Sequence, residues 1–157
     1  MHKIFLTNTE CEVIQGSDNI VKLIGGFPSM ENGSLERIMM WPWERSGRYI
    51  VELTFNIEGW EKTAKYYHSL PQIPKKRITI RFDGALDVII KSPELNDCGE
   101  VKFDNRFGDE RVFQDEGPWR IIEIPRPYYR FYTVGHGGDL KILFDENACT
   151  ISAWFND

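Results

Sequence analysis

The sequence predicts an α+β, β-rich fold: a curved or two-layer, mostly antiparallel sheet with one short helix near the N-terminus packed on it. Three observations carry that expectation. Aromatic residues make up 13% of the chain and fall largely in runs with Ile, Val and Thr, the composition of pleated, half-buried strands. Tyr49, Val51, Leu53, Phe55 and Ile57 alternate with Ile50, Glu52, Thr54, Asn56 and Glu58, and a period of two sustained over ten residues means one buried and one wetter face. The helical pattern at residues 17–24 spans only about two turns, too short to be stable unless its apolar side rests on a sheet.

In chain order, residues 3–7 read as a short first strand. Ser17 reads as a helix N-cap, followed by Asp18 in the first turn, the apolar cluster Ile20, Val21, Leu23 and Ile24, and a stop at Gly25-Gly26. Pro28 fixes the exit, and Asn32-Gly33 turns the chain into a strand over residues 35–43. With a polar turn at residues 44–47, that strand and the alternating one form a hairpin. Residues 60–68 admit one helical turn, two, or an irregular excursion, closed by Pro71 and Pro74. Ile78, Ile80 and Phe82 alternate with Thr79 and Arg81, Asp83-Gly84 reads as a tight turn, and residues 86–90 as the partner strand. One further strand is expected near residues 100–103. Strands at 119–124, 128–134, 140–144 and 149–155 then form an antiparallel meander, with turns at residues 135–138 and 145–147.

At 157 residues and 41% hydrophobic composition, the chain suits one well-packed core, so a single domain over residues 1–157 is expected. Ile4-Phe5-Leu6 is too short for a secretory apolar region, and no window approaches the roughly 18 apolar residues of a spanning helix. A cytoplasmic protein is expected. Cys11, Cys98 and Cys149 are widely spaced and lack any zinc or redox pattern, so they read as reduced, mostly buried thiols.

The net charge of −5 argues against binding a phosphate backbone, so neither nucleic acid nor membrane is an expected partner. Its location is more informative. Eight acids, Glu94, Asp97, Glu100, Asp104, Asp109, Glu110, Asp115 and Glu116, stand against three bases, Lys102, Arg106 and Arg111, while the remaining sixteen acids and sixteen bases cancel. Local acidity suits a surface that steers a basic partner. A solvated loop kept charged for solubility is the plainer alternative.

No catalytic constellation can be assembled. Gly135-His136-Gly137-Gly138 has no Gly-x-Ser-x-Gly nucleophile turn to serve and reads as a hairpin turn. His2, His68 and His136 lack ligand spacing, and the acid pattern from Asp104 to Glu110 is out of register for calcium, so neither metal nor cofactor is expected. Nothing places any two of Glu58, Glu61, Asp83 and Asp87 at a separation useful for glycoside chemistry. Trp41-Pro42-Trp43, Trp60 and Tyr66-Tyr67 could form a stacking platform for a sugar or a partner protein, or simply pack in the core or at an edge.

The stretch Gly25-Gly26-Phe27-Pro28-Ser29-Met30-Glu31-Asn32-Gly33, leading into the strand at Leu35, resembles the bacterial immunity proteins of polymorphic toxin systems, specifically the immunity protein family numbered fifty. That family shows a Gly, an aromatic, Pro-Ser, a second aromatic, then His-Asp-Ala before a strand. Gly26, Phe27, Pro28 and Ser29 match; Met30 replaces the second aromatic, and Glu31-Asn32-Gly33 replaces His-Asp-Ala. The resemblance implies a small cytoplasmic α+β protein, without catalytic residues, that neutralises a cognate toxin by occluding it. The loss of His-Asp-Ala moves the expected binding surface to the acidic residues from Glu94 to Glu116, with Trp41, Trp43 and Trp60 as aromatic anchors. The expected partner is a basic toxin. The alternative is a β domain that binds a small molecule or carbohydrate through surface aromatics.

Overall fold

Eleven strands and three helices follow one another in the computed structural model, which describes residues 4–44, 47–71, 73, 75–90, 100–112, 120–134, 140–145 and 149–156. The N-terminal part carries α1 (Asn8–Glu12), β1 (Ile14–Gln15), α2 (Ser17–Ile24), β2 (Ser34–Pro42), β3 (Tyr49–Asn56) and α3 (Glu58–Tyr67). Then come β4 (Arg77–Ala85), β5 (Asp87–Ile90), β6 (Val101–Arg106), β7 (Glu110–Val112), β8 (Arg120–Ile122), β9 (Tyr128–Thr133), β10 (Leu140–Phe144) and β11 (Thr150–Asn156). The fold is α+β and β-rich, with mostly antiparallel pairing. Among the described residues, no helix is long and apolar enough to cross a membrane.

A five-stranded sheet runs β1-β11-β4-β3-β2, a four-stranded sheet runs β5-β10-β9-β6, and β7 pairs with β8 alone. The alternation read from β3 organises the first sheet. Val51 lies opposite Met40 and Phe82, and Leu53 lies opposite Ile38 and Ile80, so one apolar face builds up across the strands. β11 extends it by pairing Ile151 with Phe82 and Ala153 with Ile80. In the second sheet, Phe131 on β9 stands between Phe103 and Ile142. The two sheets meet at Phe82, whose ring centroid lies 5.2 Å from that of Phe131 and 5.8 Å from that of Phe144. Ile20 and Ile24 of α2 and Trp60 and Ala64 of α3 join the same core.

Asp83-Gly84 does not turn. β4 runs through both residues to Ala85, and Gly84 takes φ 97° where Ile50 faces Asp83 but Tyr49 faces Ala85. Gly in this conformation serves a bulge as readily as a hairpin. Here the bulge precedes the passage of the chain between sheets: the Leu86 N–H donates to the Leu143 carbonyl at 2.7 Å, and β5 pairs with β10. The strands expected as hairpin partners are therefore successive strands of different sheets.

The expected meander holds only for β9 and β10. β8 pairs with β7, and β11 joins β4 across the first sheet. The expected turns at residues 135–138 and 146–147, residues 45 and 46, Pro74, Cys98, His2, His136 and Trp119 lie outside the described residues. The first strand is reduced to a bridge between Phe5 and Pro28, flanked by hydrogen bonds from the Leu6 N–H to the Phe27 carbonyl and from the Ser29 N–H to the Ile4 carbonyl. Thr7 then opens α1 with a capping box, accepting from the Glu10 N–H while the Glu10 carboxylate accepts from the Thr7 N–H. Residues 60–68 resolve into α3, whose Trp60 and Ala64, four positions apart, both face the core.

Gly25 closes α2 as expected, but Leu23 faces solvent and the N-cap is Gly16 rather than Ser17. Gly16 sits at φ 86°, and a Cβ there would lie 2.5 Å from the Ala153 carbonyl oxygen on β11. Gly16→Ala should cost at least about 1–2 kcal/mol from the left-handed backbone alone. Chemical denaturation would show this as a lower midpoint, with Ser17→Ala as a milder comparison.

Candidate functional site

Four of the eight acids on the predicted partner surface are described: Glu100, Asp104, Asp109 and Glu110. Glu94, Asp97, Asp115 and Glu116 lie outside the described residues. Glu110 is not a surface residue, being only 2% exposed. Its carboxylate accepts from the Tyr128 hydroxyl at 2.6 Å, from Lys141 Nζ at 2.8 Å and from Arg130 Nη1 at 3.1 Å. Asp104 is engaged as well, accepting from Arg130 Nε at 2.8 Å and from Arg130 Nη2. Asp109 is exposed, Glu100 is half-buried with the Lys102 ammonium 3.8 Å away, and Phe107 stands 83% exposed in the same loop.

Strand periodicity explains this arrangement. Tyr128, Arg130 and Tyr132 share the outer face of β9, and Lys141 and Leu143 share that of β10, with Lys141 opposite Tyr132 and Leu143 opposite Arg130. Glu110 at the start of β7 reaches this face, and Ile122 and Ile124 pack there with Tyr128, Leu143 and Ile89 in a small second core. Two cations thus meet two carboxylates under partial cover. Burial pushes the Glu110 carboxyl up, but the Lys141 and Tyr128 hydrogen bonds and the Lys141 and Arg130 charges outweigh it and hold the carboxyl below its ordinary value. Burial, then the Glu110 hydrogen bond and charge, push Tyr128 up to about 12.

A second buried ion cluster lies at the end of β10. Asp145, 5% exposed, accepts from both Arg48 terminal nitrogens at 3.0 Å each and from Arg126 at 3.3 Å. Arg48 also donates to the Gly84 carbonyl at 3.1 Å, tying this cluster to the bulge. Burial raises the Asp145 carboxyl, and the two guanidinium groups more than reverse the effect.

The aromatic anchors separate. Trp60 is fully buried, and its indole N–H donates to the Ile4 carbonyl at 2.9 Å, which removes it from any partner surface. Trp41 is half-buried with the Arg81 guanidinium 5.4 Å over its ring, and Arg81 is itself held by Asp83 and Glu52. Trp43 is half-buried and its backbone N–H donates to the Arg48 carbonyl. Tyr66 and Tyr67 form an exposed edge-to-face pair at the end of α3. The stacking platform is thus divided among elements and loses Trp60 to the core.

Catalytic alternatives find no added support in the geometry. Glu58 pairs with Lys76, Glu61 with Lys65 and Asp83 with Arg81, while Asp87 accepts from the Val88 N–H. Among the described residues, no cluster of His, Cys, Asp and Glu could hold a metal ion. Burial, with the Asp145 and Asp83 charges, pushes the Cys149 thiol up to about 12, so at neutral pH it is protonated and a poor nucleophile.

A feature invisible in the sequence is a cleft of about 460 Å³ between the sheets. Thr9, Glu10 and Val13 form one wall, from α1 and the residue that caps it. Phe103, Asp104, Asn105 and Tyr129 supply the second sheet, and Phe144, Asp145, Cys149 and Ile151 complete the lining. Residues far apart in sequence meet there, so no spacing announces it.

The buried ionisable groups set limits on stability at both ends of the pH scale. Glu110 and Asp145 are held low, so the native state binds fewer protons than the unfolded chain near pH 4, and their contribution is lost as pH falls through the folded values. Tyr128 and Cys149 are held high. Their contribution is complete below their ordinary values of 10.0 and 9.0 and is lost as pH rises towards about 12. Urea midpoints across pH should therefore form a plateau that falls on both sides, with Cys149→Ala removing part of the alkaline fall.

Compared with protein-family models, with curated proteins and with solved structures, the chain matches none of them.

Proposed function

We propose that this chain is a non-enzymatic, cytoplasmic immunity protein, of the kind numbered fifty, that binds a basic cognate toxin and neutralises it by occlusion. The observation that carries the proposal is the confinement of the entire net charge of −5 to residues 94–116. An acidic surface accelerates encounter with a basic enzyme and sets orientation. Asp104 and Glu110 are spent internally on Arg130 and Lys141, and Glu100 faces Lys102, so the steering charge rests on the other five acids.

The anchoring supports the reading. The loop that displays Phe107 and Asp109 leaves β6 after Arg106, two residues beyond Asp104, and enters β7 at Glu110, so ion pairs to Arg130, buried at Glu110 and partly exposed at Asp104, hold it near both ends. A loop fixed in this way loses less entropy when a partner docks. Phe107 gives it an exposed aromatic contact of the kind that concentrates binding energy.

The test is co-expression with the product of the neighbouring upstream gene, the toxin under this reading. The intact chain should rescue growth, and Phe107→Ala should weaken the complex by about 10-fold or more without lowering the unfolding midpoint. Absence of a complex together with absence of rescue would sink the proposal.

A further inference from the structure

The cleft between α1 and the two sheets has a composition that selects one class of ligand. We propose that it binds a neutral, planar aromatic molecule of one to three rings carrying a single hydrogen-bond donor.

Size comes first. About 460 Å³ falls within the ordinary range of small-molecule sites. The apolar lining consists of the rings of Phe103, Tyr129 and Phe144 with Val13, Ile151 and the Cys149 sulfur. Tyr129 and Phe144 lie nearly parallel, 19° between planes, while Phe103 stands at 86° to Phe144, so the lining rings present differently oriented surfaces. Offset stacking and edge contacts both favour an added ring. The protonated Cys149 thiol is a soft contact for the same ring. Val13, 55% exposed in the opposite wall, would lose apolar surface to water-free contact.

Charge decides what kind of ring. Three acids line the cleft, and alone they would select a cation. Each is already engaged: the Glu10 carboxylate accepts from the Thr7 N–H, Asp104 binds Arg130, and Asp145 binds Arg48 and Arg126. A cation would lose its hydration to face carboxylates that already accept from other groups, two of them paired with guanidinium ions, and an anion would face three carboxylates. A neutral molecule avoids both costs. One donor is accommodated, because the Asp104 side chain is 30% exposed and each of its oxygens keeps a second lone pair.

The experiment uses the full chain with labelled valine and isoleucine methyl groups, titrated with indole and, separately, with tryptamine and indole-3-acetate. Indole should shift the Val13 and Ile151 methyl resonances saturably, with a Kd on the order of 1 mM or tighter, and show intermolecular NOEs to both. The charged analogues should bind about 3-fold more weakly or worse. Val13→Trp, at the exposed wall, should reduce indole affinity by about 10-fold, and Asn105→Trp serves the same purpose if the first variant loses its fold. Absence of NOEs to Val13 and Ile151, tighter binding of tryptamine than of indole, or undiminished binding in a folded blocking variant would overturn the assignment. None of these outcomes depends on toxin binding, which the co-expression assay reads separately.

Discussion

Glu110→Ala should cost about 3–5 kcal/mol of unfolding free energy, the usual consequence of removing one partner from a buried ion cluster. The loss has three sources. Lys141 and Arg130 keep their charges under partial cover without Glu110, and the Tyr128 hydroxyl loses its acceptor. For a chain of this length the melting temperature should fall by about 6 °C or more. The double variant Glu110→Gln with Lys141→Met separates the causes: Met removes the charge that Gln leaves unpaired, so the pair should be less destabilising than the sum of the two single changes. Calorimetric melts of the four proteins would show this coupling. Strict additivity would mean that Lys141 escapes to water and that Glu110 does not hold β7 in place.

Trp60→Ala should be at least as damaging, at about 3–5 kcal/mol. The indole is fully buried, makes an edge-to-face contact with Phe5 at 5.6 Å between centroids, and donates to the Ile4 carbonyl. Its removal leaves a cavity between α3 and the N-terminal segment and takes one of two donors from the Ile4 carbonyl, which keeps the Ser29 N–H. Trp60→Phe should recover part of the packing but not the hydrogen bond. If Trp60 were instead an interface anchor, its truncation would weaken partner binding while leaving the melt unchanged, which the burial argues against.

These two residues also show where the sequence is legible. β3 and β11 are readable because each has one face against the core and one towards solvent, so alternation records burial directly. Trp60 carries no such record: an aromatic beside Gly59 and Glu61 suits a surface platform as well as a helix face, and only its pairing with Ala64 four positions on decides between them. Asp83-Gly84 is ambiguous for a related reason, since positive φ at the glycine suits a hairpin and a bulge alike.

Glu110 is hidden by its own company, one acid in a run of acids. The signal that could have found it lies elsewhere, in Arg130 within Tyr128–Thr133 and Lys141 within Leu140–Phe144. Cations in otherwise apolar or aromatic strands need carboxylates nearby, and the acidic segment is the obvious source. The cleft had no comparable signal, because its walls come from both ends of the chain.

Surface-immobilised kinetics at low and high salt, with the product of the neighbouring upstream gene as the toxin proposed for this chain, is the direct test of steering by the acidic segment. A saturable complex is expected, whose association rate falls as ionic strength rises and falls further when Asp109 is changed to Lys. No complex, or one whose association rate is indifferent to both salt and Asp109→Lys, would contradict it.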